Sequence, residues 1–237
     1  MRTILIFWAC LSLACPVQAS RAFSSTSDTL TGGTTALPTT GSFSCQVYPT
    51  FTQGDGSFHI LFEILDSSNY VQILKTNGNN IAVNWNNGTL YQAFVNDGSY
   101  TLNTNAWNTL GATWTTGSFL RLYLNGAKIV ELNGMGTYST TATWSIGNRS
   151  TGGFPWNGNV ARCGVWNREL TSSEETTLSG STAKPSDVSS GLIHEWDMVG
   201  SSLTDSVGSM NLTASGTSTG SDPPSGFTAA RKRVTSQ

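Results

Sequence analysis

Two pairs of carboxylates are the residues whose types can break a bond. Glycoside hydrolysis uses two carboxyl groups flanking the scissile linkage, about 5–9.5 Å apart. Glu195 and Asp197, in "HEWDMVG", lie two positions apart and share one face of an extended strand, but no third carboxylate follows. Glu63 and Asp66, in "FEILDSS", are three apart, which puts them on opposite faces. His59 shares the face of Glu63 by the same count, with no acid–base partner in view. The ordinary role of such a lone pair is a surface contact or a bond to a neighbouring loop. No phosphate loop or zinc-binding helix appears. The two histidines, His59 and His194, have no ligand spacing to a cysteine, which argues against a metal centre of that kind.

A second chemistry is recognition of sugars. It needs aromatic faces that stack on C–H surfaces and amides or carboxylates that bond hydroxyls. In "SFHILFEILD" (57–66), strict alternation turns Phe58, Ile60, Phe62 and Ile64 toward a core and leaves Glu63 on the other surface. By similar alternation Gln72, Asn84, Gln92, Arg121 and Tyr123 join Glu63 in a polar stripe suited to a polysaccharide. The alternative is an ordinary solvated sheet face. Trp85 sits beside an Asn-Gly turn with Tyr91 across it; each is a candidate stacking platform, with core packing the competing role for Trp85. Trp156, in "GGFPWNGN", is the tryptophan expected nearest a loop rim, whereas Trp107, Trp144 and Trp166 read as core.

Strands must hold these side chains. Alternation also runs through 69–76, 80–86 and 89–95, and Asn-Gly at 87–88 and 125–126 suits type I′ turns, so an antiparallel meander follows. One helix is expected near 171–180, with Thr171 as N-cap, Glu174 completing a capping box and Gly180 as its stop. The fold class is therefore all-β, a two-sheet antiparallel jelly-roll sandwich with one short helix. The Ser-, Gly- and Pro-rich stretch 213–237 reads as loose towards its end.

Residues 1–19 read as a secretory signal peptide: Arg2, an apolar run, and small residues Val17 and Ala19 before the cut. A lipid anchor at Cys15 is the alternative, against a poor match in "SLA". Residues 20–225 form the expected domain and 226–237 a polar tail. Only 11% of residues are charged and the net charge is −2, which argues against nucleic acid as the main partner. No later segment is apolar enough for membrane insertion. Cys45 and Cys163 remain in the mature chain; both point inward by alternation, Cys45 with Phe43 and Val47, Cys163 with Ala161 and Val165. An oxidising compartment favours a disulfide between them, and two buried thiols are the alternative.

Several stretches carry a family likeness. "RAFSSTSDTLT" resembles an opening strand with an acidic turn, and "TGSFSCQVYPTF" a strand ending in an aromatic. "NAWNTLGATWTTGSFLRLYLNGAKI" is similar to a central hairpin, and "WSIGNRSTGGFPWNGNVARCGVWNRELTSSEETTL" to a final strand stepping into a capped helix. With "SGLIHEWDMVGSSLTDSVGSMNLTASGTSTGSDPP" they resemble the laminin-G-like, concanavalin A-like lectin/glucanase superfamily over roughly residues 21–225. The resemblance implies two sheets packed face to face, with sugars on a concave surface or on rim loops. Glucanases of the superfamily carry Glu-x-Asp-x-(x)-Glu on one strand, a pattern absent here. The resemblance requires no cofactor but implies a structural calcium ion, with Asp28 and Asp205 as its candidate ligands; turn geometry alone explains Asp55 and Asp97.

The expectation is a secreted, non-catalytic carbohydrate-binding or adhesion domain whose partner is a polysaccharide or a glycoprotein glycan. A glycoside hydrolase or polysaccharide lyase is the first alternative, and a structural surface protein that self-associates is the second.

Overall fold

Period-two alternation becomes two stacked antiparallel sheets in the computed structural model, which describes residues 20–66, 69–137, 141–198 and 202–220. The expected leader, 1–19, and the tail, 226–237, lie outside the described residues. The chain begins with β1 (Arg21–Phe23), β2 (Thr29–Ala36) and β3 (Thr40–Pro49). A meander follows: β4 (His59–Asp66), β5 (Asn69–Lys75), β6 (Ile81–Asn86) and β7 (Leu90–Val95). Then come β8 (Asn108–Thr115), β9 (Phe119–Leu124), β10 (Ala127–Asn133), β11 (Thr141–Ile146) and β12 (Gly158–Trp166). Helix α1 (Ser172–Leu178) precedes β13 (Leu192–Trp196), β14 (Thr213–Ser215) and β15 (Ser218–Thr219).

One sheet runs β10-β9-β8-β3-β12-β1-β15, with β13 also on β12; the other runs β14-β2-β11-β4-β5-β6-β7. Helix α1 packs on the outer face of the first through Leu178, beside Trp166 and Val188, so that sheet is helix-covered and the second is open. Between them Phe43 stacks on Phe62 at 4.0 Å, Phe62 meets Trp144 edge-on at 5.6 Å, and Trp85 lies 6.4 Å from Trp114. Each such side chain contributes on the order of 1.5–3 kcal/mol by burial. Cys45 and Cys163 are bonded across the β3–β12 pair, with Cα atoms 4.2 Å apart. No helix among the described residues is long and apolar enough to cross a membrane.

The helix is built as its sequence demands. Thr171 Oγ1 accepts from Glu174 N, and the Glu174 carboxylate accepts from Thr171 N. Its C-cap is Ser179, and Gly180 follows immediately after it.

Three expectations change. In β4, Ile60 opposes Leu74 and Phe62 opposes Ile73, so Leu61 is an extra, bulged residue. The bulge reverses the phase: Phe62 and Ile64 stay in the core, whereas Ile60 packs on the outer face with Phe58, Leu74 and Ala82. In β12 the register slips between Ala161 and Gly164, with Arg162 at φ 48, so Val160 rather than Ala161 joins Cys163 in the core. At 125–126 both residues take positive φ, 51 and 76, as a type I′ turn requires; at 87–88 only Gly88 does, because the loop there holds three residues between the Asn86–Leu90 pair. Residues 213–219 hold β14, which closes one sheet against β2, and β15, which closes the other against β1; the end of that stretch, 221–237, lies outside the described residues.

Candidate functional site

A groove of about 520 Å³ crosses the outer face of the open sheet, lined among others by Phe58, Tyr70, Gln72, Asn84, Gln92, Arg149 and Phe154. Register builds it in rows. Glu63, Gln72, Asn84 and Gln92 are direct cross-strand partners on β4, β5, β6 and β7. About 6.7 Å further along the strands, Ile60, Leu74, Ala82 and Phe94 form an apolar row. Phe58 and Phe154 meet edge-to-face above it, ring centroids 5.5 Å apart.

The polar row is an internally bonded amide ladder. Gln72 Nε2 donates to Glu63 Oε1 at 2.7 Å, and Gln92 Nε2 donates to Asn84 Oδ1 at 2.7 Å. Each amide has a carbonyl and an NH₂. The atoms left without a partner among the described residues are therefore Gln72 Oε1, Asn84 Nδ2 and Gln92 Oε1. That order, acceptor, donor, acceptor, is what a run of sugar hydroxyls needs, since each hydroxyl both donates and accepts.

A loop from 147 to 155 forms one wall, and buried groups pin it. Gly147, at φ 79, lies against the Phe23 ring, where a Cβ would come within 2.1 Å. Asn148 is fully buried; its Nδ2 donates to Thr26 O and Asp28 O, and its Oδ1 accepts from Arg149 N and Phe154 N. Ser150 N and Oγ donate to Glu63 Oε2. The loop also meets the backbone at the bulge: Ile60 N donates to Phe154 O and Gly147 N to Leu61 O. Beneath the wall His59 Nδ1 donates to Pro155 O at 2.9 Å and its Nε2 pairs with Asp55 Oδ2 at 2.7 Å. The His59 ring stacks on Phe51 at 3.8 Å, and the buried Lys75 ammonium also pairs with Asp55. Burial alone would raise the Asp55 carboxyl, but the bonds from Lys75 and His59 outweigh it and hold it below its ordinary value. Asp55 thus does more than close a turn.

Of the residues singled out in the sequence, Glu63, Gln72, Asn84 and Gln92 come together. The others do not. Trp85 and Trp156 are both fully buried in the core between the sheets. Trp85 alternates with Ile81 and Val83, and Trp156 packs edge-on against Phe51. Tyr91 pairs with Trp85 and faces inward at the sheet edge. Arg121 and Tyr123 lie on β9, in the helix-covered sheet: Arg121 is paired with Glu131 and Glu169, and Tyr123 is 2% exposed. Phe58, Tyr70, Arg149 and Phe154 line the groove and were not singled out for it. Alternation turns Phe58 to the core, and nothing in "NRSTGGF" tells that its loop folds back over β4.

The carboxylates do not form a bond-breaking pair. Glu63 is 0% exposed. Glu195 accepts from Ser186 and Ser206, and Asp197 stands beside Arg162 and Lys184, all away from the groove. The string Gly216–Gly220 fits Gly-x-Ser-x-Gly, but its Ser218 lies in β15 opposite Ala22, without the strand–turn–helix setting of a nucleophile elbow. No group of three His, Cys, Asp or Glu that could hold a metal ion occurs among the described residues. Asp28 accepts from Ser24 N and Ser25 N; Asp205 accepts from Glu195 N, Gly208 N, Met210 N and His194 Nδ1. Calcium is held by oxygen, and Asp205, both of whose oxygens are taken by N–H donors, does not fit that role, whereas Asp28 accepts through Oδ2 alone. Burial would raise Asp205, but these donors hold it below its ordinary value.

Comparison with known proteins agrees with this architecture. No curated protein sequence matches the chain. Among solved structures, a heptameric SAP-like pentraxin from Limulus polyphemus superposes with TM-score 0.61 at 14% identity, covering 86% of this chain and 95% of that one. A protein from Bacteroides ovatus named as a putative carbohydrate-binding protein gives 0.61 at 13%, covering 87% of this chain and 60% of that one. The CBM40 of a Ruminococcus gnavus sialidase gives 0.51 at 14%, covering 69% and 98%. At such identities the likeness is one of fold. A family model described as the concanavalin A-like lectin/glucanases superfamily matches residues 24–174, well over half of the chain, and the protein belongs to that superfamily.

Proposed function

We propose that the chain is a secreted, non-catalytic glycan-binding domain that holds a polysaccharide or a glycoprotein glycan in the groove of the open sheet. The observation that carries this is the amide ladder, with its alternating acceptor and donor atoms turned to the groove beside an aromatic pair. Strands about 4.8 Å apart offer one amide per step, so an extended sugar chain laid across them meets several in succession. The Bacteroides protein and the CBM40 are named as carbohydrate-binding, which supports the same reading. Two observations support a non-catalytic role: among the described residues no two carboxylates line the groove, and Glu63 is taken by four donors. The disulfide suits an oxidising compartment.

Calorimetric titration of a glycan panel tests it. The expected result is micromolar to millimolar binding, weakened about tenfold by Asn84→Ala or Gln92→Ala, the loss of roughly one hydrogen bond each. No binding across the panel, binding indifferent to both substitutions, or release of reducing sugar would refute the reading. Self-association has one observation in its favour: Leu90 and Phe94 are 51% and 42% exposed on the edge strand β7. Light scattering of the purified chain decides it, and a monomer at all concentrations removes it.

A further inference from the structure

Among the described residues, Arg149 is the one formal charge that lines the groove. Its Nε donates to Glu63 Oε1 at 3.2 Å, and its Cζ lies 5.7 Å from the centre of the Phe154 ring. These contacts fix the plane of the guanidinium from its inner edge and one face. The two Nη groups make no hydrogen bond among the described residues, and the side chain is 31% exposed. Other arginines differ. Arg121 joins Glu131 and Glu169, Arg168 grips Glu174 with both Nη atoms, and Arg162 Nη1 donates to Gln46 and Ser181. Glu63, for its part, is shared among Gln72, Ser150 and Arg149, so the cation is held by one oxygen through Nε alone. What remains is an outward fork of N–H donors, already oriented, on a loop that Asn148 and Ser150 hold in place. Glu63 is buried beneath Arg149, and among the described residues no carboxylate lines the groove to repel an anion.

We infer that the glycan bears an acid group, a carboxylate or a sulfate, which docks on the outer Nη edge of Arg149 while neighbouring hydroxyls bond the Gln72–Asn84–Gln92 ladder. Planar two-point pairing with an anion is what a guanidinium does and an ammonium does not. Arg149 hangs over Glu63 at the β4 end of the row, so the acid group marks that end of the bound sugar chain, and the sugars beyond it run toward β7.

This rests on the groove being the glycan site, and the experiment separates the two. The full chain is titrated with an oligouronate, its methyl ester, and a sulfated oligosaccharide of equal length. The acidic forms are expected to bind at least tenfold more tightly than the ester, with that preference falling as salt rises. Whichever acidic form gains more identifies the group as carboxylate or sulfate. Arg149→Gln is expected to abolish the preference, the acidic forms and the ester then binding alike. Because that variant strips a partner from buried Glu63, Glu63→Gln/Arg149→Gln serves as the folded control, with the same loss expected; Arg149→Lys keeps the charge but loses the fork and is expected to fall between. Equal affinity for ester and acid, or a preference that survives both glutamine variants, overturns the acid group alone. No binding of any of the three overturns the groove as well.

Discussion

Replacing Glu175 by glutamine should stabilise the protein at alkaline pH and change little near pH 4.5. Glu175 lies on α1 and is 1% exposed. Its carboxyl rests against Gly111 of β8, where a Cβ would come within 3.0 Å of Oε2, so glycine is what admits it. Neither oxygen has a hydrogen-bond partner among the described residues. Burial, helped by the neighbouring Glu174 charge, pushes this carboxyl from 4.5 up to about 8. The unfolded chain ionises at its ordinary value, while the folded chain keeps the proton until about pH 8. Between those values the folded state binds more protons than the unfolded one, so stability falls as pH rises, by 1.36 kcal/mol per pH unit at about 25 °C. The penalty is absent below pH 4.5, reaches about 3 kcal/mol at pH 7 and levels at about 5 kcal/mol above pH 8. Glutamine has the same shape and no charge; whatever its amide costs by burial is the same at every pH. The assay is urea unfolding of both proteins at pH 4.5, 7 and 9, reading the difference between them. A difference that stays constant across that range refutes the assignment of a protonated, unpartnered acid beneath the helix.

Two further outcomes test the frame around the groove. Cys45→Ser/Cys163→Ser removes a link that spans 118 residues of sequence, and the chain-entropy account assigns it roughly 5 kcal/mol; denaturant unfolding with and without reductant measures it, and a loss under about 1 kcal/mol would count against it. His59→Ala removes the bonds to Pro155 and Asp55 and the stack on Phe51, at a cost of roughly 2–4 kcal/mol; it should also weaken glycan binding in the protein that remains folded, because Phe58 and Phe154 are neighbours in sequence of the two bonded residues. Unchanged glycan affinity in folded His59→Ala would show that the aromatic pair is set by other contacts.

Alternation carries a definite and limited amount of information. It tells which face of a strand a residue takes, so Gln72 and Asn84 were legible opposite Ile73, Val83 and Trp85. It does not tell which sheet the strand joins. Arg121 and Tyr123 have the right phase, yet β9 pairs with β8 and β10 in the other layer. Local chemistry was legible where the partners are close in sequence: the Thr171–Glu174 box forms as read. Cys45 and Cys163 were legible across a long separation because both phases point inward and only two cysteines follow the expected leader. Arg149 and Phe154 were not, since their positions depend on Asn148 reaching Thr26 and Asp28, more than a hundred residues away.

The bulge at Leu61 shows why the missing part was also the decisive part. Under strict alternation β4 would present His59, Leu61 and Glu63 to the groove and turn Phe58 and Ile60 inward. His59 would then leave Asp55 and Pro155, and the buried Lys75 would lose the neighbour that shares its carboxylate. One inserted residue reverses this. It sends Ile60 and Phe58 out to build the apolar wall and sends His59 in to anchor it. Its backbone carbonyl, relieved of ladder pairing, accepts from Gly147 at the root of the very loop that carries Arg149. Phase on the far side of the bulge is untouched, so Glu63 keeps its place in the amide ladder. Stacking surface and hydrogen-bonding row therefore share one face because the strand breaks its own period, and a reading that follows the period unbroken assigns the aromatic half of the site to the core.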